Sequence, residues 1–427
     1  MKNIICILII LITAKCYSQD WPDWRGINRD GTWSEKGIVE KFDSEKIKTK
    51  WTVPIGPGYS GPTVSNGKVY VTDKKEESIS LERILCYDEL TGAKIWEYSY
   101  ECIYEGVGYP AGPRASVVIS DGKTFSLGTM GNLICLDAEN GKLFWERDLN
   151  KELEIRMPIW GISAAPLIVN EKIIIQISGS DNACVIALNK NTGSELWRNL
   201  NDIAAYSAPI LIKKNGNNVV VVWTEDSLAG LDLETGNIHW RIPWKLGSGM
   251  GIATPVLYKD YVFVSCFYSG SMLIKLENNY TSAKIVWQRT GESEQKTDAL
   301  HCVMNTPVII DDFIYGVDSY GELRCLELLT GERIWEDQTA VKRERWANIH
   351  FIQNGNKTWM FNEQGELIIS ELSSKGFNEI SRAKLIEPTK KQLPRGVTWA
   401  HPAFANKHVF IRNDKELVCA DLSQKTN

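Results

Sequence analysis

The chain lacks an excess of positive charge. Its 48 Lys and Arg residues are balanced by 53 Asp and Glu residues, which gives a formal net charge of −5. Proteins that bind nucleic acid or anionic lipid by electrostatics usually carry a basic patch or stripe. The mixed-sign composition therefore predicts no nucleic-acid partner and no attraction to an anionic membrane surface.

Motifs for metals and haem are also absent from the sequence. There is no Cys-x-x-Cys-His segment for covalent haem and no run of alternating Asp typical of a calcium loop. The five histidines, at positions 239, 301, 350, 401 and 408, show no metal-ligand spacing. We predict no metal site, and we name no catalytic residue, because the carboxylates nearest the loops, Glu105 and Asp298, have no visible partner.

Long apolar runs are missing except at the start of the chain. Lys2 is followed by an apolar stretch over 4–12 and by a small-x-small pattern that ends at Ser18. This pattern predicts a signal peptide over residues 1–18, cleaved after Ser18. Lipidation of Cys16 is the alternative, and Lys15 directly before it fits that pattern poorly. No later segment is long enough to span a membrane, so we expect a secreted or periplasmic product.

Cysteines are present, but they follow the pattern of a packing position. Of the ten, Cys6 and Cys16 lie within residues 1–18. Four others, Cys86, Cys135, Cys325 and Cys419, share one repeat position where other copies carry Ala187 or Gly230. A position that accepts only small residues predicts buried thiols. For Cys102, Cys184, Cys266 and Cys302, disulfide pairing remains open.

What the sequence does contain is a repeat that ends in tryptophan. Five copies have the same length: CYDELTGAKIW, CLDAENGKLFW, ALNKNTGSELW, GLDLETGNIHW and CLELLTGERIW. KLENNYTSAKIVW is two residues longer, and SELSSKGFNEI has Ile380 in place of Trp. The tryptophans at this repeat position, counted from Trp51 to Trp335, lie 45, 49, 52, 43, 47 and 48 residues apart. This period, with strand-turn-strand content, is typical of a propeller.

A second pair of strands precedes each turn. Segments such as SAAPLIVNEKIIIQ and ATPVLYKDYVFVSC each contain a small-x-Pro start, an apolar strand, a polar turn and another apolar strand. The sequence thus predicts an all-β fold, a single eight-bladed propeller with four antiparallel strands per blade. The last blade, from Ala400 to Leu422, has only three strands, so an N-terminal strand containing Trp51 is expected to complete it. We expect an N-terminal arm over 19–46 and the propeller over 47–424.

The repeated tryptophan has a structural explanation. A large ring can pack between neighbouring blades while its N–H bonds to a main-chain carbonyl. We therefore predict a docking role at seven positions: Trp51, Trp96, Trp145, Trp197, Trp240, Trp287 and Trp335.

ALNKNTGSELW is similar to the tryptophan-docking motif of quinoprotein dehydrogenases, and residues 20–424 resemble the secreted PQQ-like β-propeller repeat proteins. The resemblance implies the eight-bladed ring. It also points to two activities found on that ring, oxidation of alcohols or sugars with pyrroloquinoline quinone and calcium, and service in the outer-membrane-protein assembly machinery. This chain departs from the dehydrogenases because it has no adjacent cysteine pair and little room for insertions.

The loops between blades are the least repetitive parts of the chain, so we expect any ligand site there. Aromatic rings beside Arg and His suit a planar anion, a carbohydrate or a peptide. Trp160 is the candidate floor for a quinone. The structural alternative is that these aromatics fill the channel and that the arginines pair with acids. The candidate rim residues are Tyr59, Tyr109, Arg114, Arg156, Trp160, Tyr206, Met250, His301, Trp346, Arg395, Trp399 and His401.

Three hypotheses for function remain. The first is a monomeric, non-catalytic binding or scaffold propeller that holds a protein or saccharide at its loop rim, with no cofactor. The alternative is a quinoprotein-type oxidoreductase with pyrroloquinoline quinone and calcium. The third is an envelope assembly factor for outer-membrane proteins. The segment WPDWRGINRDG, residues 21–31, is expected either to clamp the arm onto the ring or to dock a partner.

Overall fold

The fold is a closed ring of eight four-stranded antiparallel sheets, as the sequence predicts. The computed structural model describes residues 19–425. The predicted signal peptide, with Cys16 and the cleavage site after Ser18, lies outside these residues. Among the residues described, no helix is long and apolar enough to cross a membrane.

The strands follow one another blade by blade. The closing strand is β1 (Thr49–Pro54). Blades 1 and 2 contain β2 (Thr63–Ser65), β3 (Lys68–Glu76), β4 (Ser80–Asp88), β5 (Lys94–Glu101), β6 (Val118–Ser120), β7 (Lys123–Leu127), β8 (Asn132–Asp137) and β9 (Leu143–Asp148). Blades 3 and 4 contain β10 (Leu167–Val169), β11 (Lys172–Gly179), β12 (Ala183–Asn189), β13 (Glu195–Asn199), β14 (Ile210–Lys214), β15 (Asn217–Trp223), β16 (Ser227–Asp232) and β17 (Ile238–Pro243).

The second half of the ring is built in the same way. Blades 5 and 6 contain β18 (Val256–Tyr258), β19 (Tyr261–Cys266), β20 (Gly270–Glu277), β21 (Ser282–Arg289), β22 (Val308–Ile310), β23 (Phe313–Val317), β24 (Leu323–Glu327) and β25 (Arg333–Asp337). Blades 7 and 8 contain β26 (Ile349–Asn354), β27 (Lys357–Asn362), β28 (Glu366–Ser373), β29 (Gly376–Lys384), β30 (Ala403–Ala405), β31 (His408–Arg412) and β32 (Glu416–Asp421). The helical elements of the described chain are short: α1 (Leu149–Leu153) and two 3-10 turns, Gly247–Gly249 and Asn278–Tyr280.

Burial changes across each blade in the way that its sequence suggests. The second and third strands are covered on both faces by neighbouring blades, so they carry continuous apolar runs such as 219–223. The fourth strand lies at the circumference and alternates, as in β5, where Trp96 is buried and its neighbours Ile95 and Glu97 are not. The core is therefore a set of layers between blades rather than one central cluster.

Each predicted docking tryptophan bonds to the turn of the next blade. The indole Nε1 donates to a main-chain oxygen at 2.8–3.2 Å in every case. The pairs are Trp51–Glu89, Trp96–Ala138, Trp145–Lys190, Trp197–Leu233, Trp240–Tyr280, Trp287–Leu328 and Trp335–Ser373.

At five of the seven docking turns, a glycine packs directly against the tryptophan ring. Gly92 has φ +72°, in the left-handed region, and a Cβ there would lie 2.8 Å from the ring of Trp51. Any other residue would be strained by the backbone and would also displace the ring.

The ring closes where the N-terminal strand joins the last blade. Strand β1 pairs antiparallel with β32, with Trp51 opposite Cys419 and Val53 opposite Leu417. The predicted N-terminal closure is confirmed, and blade 8 has the strand order β1-β32-β31-β30.

Blade 7 has no docking tryptophan, and the arm packs at this joint. Ile380, in the tryptophan position, belongs to an apolar cluster together with Phe42 and Ile47. The amide of Phe42 donates to Ser381 Oγ at 3.0 Å, and the amide of Ile47 donates to the Lys384 carbonyl at 2.8 Å. The arm and Ile47, which directly follows it, thus supply apolar contacts where the repeat is degenerate.

Residues 20–33 contact the inner ends of six blades, which places this part of the arm in the central channel. Trp21 bonds to Val64 of blade 1 in both directions at 2.9 Å, and Ile119 of blade 2 donates to the Pro22 carbonyl. Further contacts are made to Pro166 of blade 3, Thr254 of blade 5, Gln353 of blade 7 and His401 of blade 8. The arm is therefore part of the ring's core.

The cysteines of the described chain are unpaired. All eight, the four at the repeat position and Cys102, Cys184, Cys266 and Cys302, are free and buried. Burial raises the pKa of Cys86 to about 12, so the thiol stays protonated.

Candidate functional site

A cavity of about 170 Å³ lies where the inter-blade loops meet at the channel mouth. In a four-stranded meander, the loops between blades lie on the same face as the loops joining the second and third strands. The Gly-containing docking turns lie on the opposite face. The cavity thus opens on the less repetitive face.

Nine predicted rim residues line this cavity. They are Tyr59, Tyr109, Arg114, Trp160, Tyr206, Met250, Trp346, Trp399 and His401. Arg156, His301 and Arg395 do not. The lining also contains residues outside the predicted rim set: Trp24, Ser163, Ala165, Ala208, Ile252, Val303, Met304 and His350. Ala165 and Ala208 directly precede the prolines of two small-x-Pro starts.

One wall is made by Trp160 and Tyr206 from neighbouring inter-blade loops. Their ring centroids are 5.1 Å apart, and the amide of Trp160 donates to the Tyr206 hydroxyl at 3.3 Å. Burial raises the pKa of Tyr206 to about 12, so this hydroxyl is neutral. Trp160 packs in one apolar cluster with Met250 and Met304, and Tyr206 lines the same cavity. This wall is apolar and aromatic.

Arg114 is held by main-chain carbonyls. Its guanidinium donates to the carbonyls of Gly108, Tyr109 and Gly112 at 2.6–3.0 Å, and it stacks on the ring of Tyr59 at 4.9 Å. Across residues 19–425, Arg114 makes no salt bridge. Its charge therefore has no carboxylate partner at the cavity.

Tyr109 and Trp346 both line the cavity, and both have positive φ, +52° and +65°. Bulky residues adopt this conformation only when surrounding contacts hold them there. Their ring centroids are 6.4 Å apart. Arg345 stacks on Trp346 at 4.4 Å and pairs with Glu294 at 2.7 Å, which fixes the loop.

Trp399 is oriented by a buried acid. Glu363 follows β27 directly and is fully buried. Its carboxylate accepts hydrogen bonds at 3.1 Å from Trp399 Nε1 and from Arg395. Burial raises the pKa of Glu363, and the Arg395 charge opposes that rise. Arg395 therefore supports the cavity wall from outside.

The other two predicted residues that miss the cavity are also satisfied by the protein. His301 Nδ1 lies 2.8 Å from the Phe267 carbonyl, and its Nε2 accepts from the Gly291 amide at 3.2 Å. Arg156 donates to the carbonyls of Asn201 and Asp202. Because their polar atoms form hydrogen bonds with neighbouring loops, His301 and Arg156 stabilise the loop conformations.

Two buried histidines form the side of the cavity next to the arm. The rings of His350 and His401 are 4.8 Å apart, and Trp24 lies 5.1 Å from His401. His350 Nε2 lies 2.9 Å from the Trp399 carbonyl. Burial lowers the pKa of His350 to about 4, and burial, His350 and Arg25 lower the pKa of His401 well below 6.5. Both rings are neutral at neutral pH.

Because burial lowers the pKa of both histidines, we expect the folded protein to lose stability in acid. The unfolded chain binds a proton at His350 below about pH 6.5, whereas the folded chain does so only near pH 4, so stability is lost as the pH falls through this window. Between pH 7 and 5 this single group is expected to remove about 2 kcal/mol. Urea unfolding should show this loss in the wild type and a smaller one in His350→Gln, which keeps a donor near the Trp399 carbonyl. Equal losses in both proteins would contradict it.

The cavity does not fit the calcium and quinone of the dehydrogenases. Calcium takes six to eight oxygen ligands, typically including Asp or Glu. The lining contains no Asp or Glu, and its one formally charged side chain is the cation Arg114. Elsewhere in 19–425, no group of three or more His, Cys, Asp and Glu residues is placed to hold a metal ion. Asp298 instead pairs with Arg289 at 3.2 Å.

The ring, its docking tryptophans and the aromatic channel mouth define an eight-bladed propeller of the PQQ-like class. Within this class, a family model described as outer membrane protein assembly factor BamB matches residues 81–337. That match covers more than half of the chain, and the chain belongs to this family.

The similar proteins include both outer membrane protein assembly factors and quinoprotein dehydrogenases. An outer membrane protein assembly factor BamB of Yersinia pestis is 25% identical over 323 residues, which cover 70% of this chain and 72% of that protein. A quinoprotein ethanol dehydrogenase of Pseudomonas aeruginosa is 26% identical over 166 residues, which cover 36% of this chain and only 25% of the enzyme. The crystal structure of BamB from Moraxella catarrhalis has a TM-score of 0.58 at 16% identity, over 88% of this chain and 99% of that one. This structural likeness shows the shared fold.

Proposed function

We propose that the protein is a non-catalytic assembly factor for outer-membrane proteins, and that it holds a protein partner at the aromatic rim of its channel mouth. The observation that carries this proposal is the family match over residues 81–337. We further propose that residues 1–18 export the chain to the envelope, where such a partner is found.

The rim supports binding of a protein. It presents Trp, Tyr and Met side chains around one cation, the composition that is enriched at the centres of protein interfaces. Main-chain bonds to Arg114 and side-chain bonds to Glu363 hold the rim in place before a partner arrives. A rigid surface loses less entropy on binding than a flexible one.

Cross-linking in intact cells tests the proposal. Outer-membrane β-barrel proteins, or components that assemble them, should co-purify with the full chain. Their yield should fall several-fold for Trp160→Ala, because this change removes one aromatic wall of the rim. Phe144→Ala is the matched control, since this ring is 49% exposed on the outer strand β9.

Two outcomes would contradict the proposal. One is the absence of any outer-membrane protein above the background of an unrelated secreted protein. The other is saturable binding of pyrroloquinoline quinone with calcium, together with dye reduction in the presence of alcohols or sugars, because that would make the protein an oxidoreductase.

A further inference from the structure

The cavity is a blind pocket with an aromatic base. Trp24, from the arm, lines it and donates through Nε1 to Thr254 Oγ1 at 2.9 Å. Because the arm occupies the channel beneath, a ligand can enter only from the loop face. A blind aromatic pocket favours insertion of one flat side chain rather than passage of an extended chain.

Several polar groups that line the cavity already form hydrogen bonds within the protein. The Tyr59 hydroxyl donates to the Tyr109 carbonyl at 2.9 Å, and Trp399 Nε1 donates to Glu363. A saccharide would need many hydrogen bonds from such groups, whereas an aromatic ring needs apolar faces. The faces of Trp160 and Tyr206, with Met250 and Met304, supply them.

Two features of the same cavity favour an anionic group. Arg114 has no carboxylate partner in the described chain, and its bonds to carbonyls use the terminal nitrogens and leave Nε unused. Trp346 Nε1 is buried and finds no hydrogen-bond partner among residues 19–425. A buried donor without an acceptor costs free energy, and a ligand oxygen would remove that cost. Both residues adjoin Tyr109.

We propose that this pocket binds an aromatic side chain of the partner protein that is directly followed by an Asp or Glu. The ring packs against the wall formed by Trp160 and Tyr206, and the carboxylate meets Arg114 and Trp346 Nε1. This inference rests on the proposed function and adds the chemistry by which the partner is recognised.

Capped peptides test the inference on the full-length mature protein. The probe is acetyl-Gly-Ser-Trp-Asp-Ser-Gly-amide, which has no terminal charge, and titration calorimetry measures its affinity. Replacing Trp with Ala in the peptide is expected to weaken binding at least about tenfold, since the ring supplies the buried area. Replacing Asp with Asn is expected to weaken binding by about three- to tenfold, since a charge-assisted hydrogen bond is lost.

Two protein variants locate the interaction. Met304→Trp fills the cavity and should abolish binding, while Leu90→Trp adds the same ring at a position that is 64% exposed on the opposite face and should leave it unchanged. Trp346→Phe keeps an aromatic ring but removes the donor, so it should reduce the preference for the Asp peptide over the Asn peptide. Melting curves identify any variant that fails to fold.

The inference is overturned if the Trp-Asp peptide does not bind at millimolar concentration, if the Asn peptide binds equally well, or if Met304→Trp binds like the wild type. Binding of a neutral oligosaccharide in its place, blocked by Met304→Trp, would also overturn it. Failure of this inference can be told apart from failure of the proposed function. If cross-linking to outer-membrane proteins persists in Met304→Trp, the inference fails while the proposed function stands.

Discussion

Replacing Trp51 with alanine is expected to lower the free energy of unfolding by about 3–5 kcal/mol. Trp51 is buried, donates to the Glu89 carbonyl at 2.8 Å and packs on Gly92 of the next blade. It also lies on β1, which pairs with β32 without a connecting hairpin. We therefore expect both a destabilised fold in urea titration and early amide exchange in residues 49–54 and 416–421, measured by mass spectrometry.

Trp197→Ala is the matched control for this prediction. Trp197 is equally buried and bonds in the same way to Leu233, but its strand β13 is joined to β12 by a tight turn. The loss of stability should be similar, whereas early exchange in β1 and β32 should be specific to Trp51→Ala. If both variants exchange alike in these two strands, the N-terminal strand is not the weak closure of the ring.

The architecture could be predicted because each blade carries its own local signal. The pairing of a turn glycine with a tryptophan recurs, and the contact is the same each time, as Gly92 with Trp51 and Gly236 with Trp197 show. The sequence also shows that blade 7 has Ile380 in place of the docking tryptophan. It does not show that the arm packs at this joint, because Phe42 lies more than 300 positions away along the chain.

The position of the arm could not be predicted for the same reason. WPDWRGINRDG has no repeat partner, and its contacts with Val64, Thr254 and Gln353 depend on the ring already being closed. Trp24 was therefore missed as a cavity residue. Its aromatic character suggested an anchor, but nothing in the local sequence shows where such an anchor is buried.

The candidate site was predicted as a set of loops, with less success for individual side chains. Aromatics such as Trp160 and Trp346 line the cavity because large rings fill the channel mouth. Whether an arginine pairs with an acid depends on residues far away in the sequence. Arg395 pairs with Glu363 at the end of β27, whereas Arg114 bonds to main-chain carbonyls and to no carboxylate among residues 19–425. Such pairings depend on loop geometry, which the sequence pattern does not specify.

Replacing Arg29 with methionine is expected to cost about 3–5 kcal/mol of stability at neutral pH, because it leaves a buried carboxylate unpaired. Arg29 is 7% exposed, pairs with Asp23 at 2.6 Å and donates to the carbonyls of Ala165 and Pro166. These bonds tie the channel segment of the arm to blade 3. Urea unfolding of the variant and the wild type at neutral pH measures the cost.

The pH dependence of this cost distinguishes the lost ion pair from lost packing. Burial raises the pKa of Asp23 above 3.8, and Arg29 opposes that rise, so removing Arg29 raises the pKa further. A carboxyl whose folded pKa is raised destabilises the fold increasingly as the pH rises through that pKa. The cost of Arg29→Met should thus be large near pH 7 and smaller near pH 4.5, with the wild type compared at each pH. In an Asp23→Asn background the cost should be the same at both pH values, since no carboxyl at position 23 remains to titrate. A cost that stays the same at both pH values in the single variant would show that Arg29 stabilises the arm by packing and carbonyl bonds, not by neutralising Asp23.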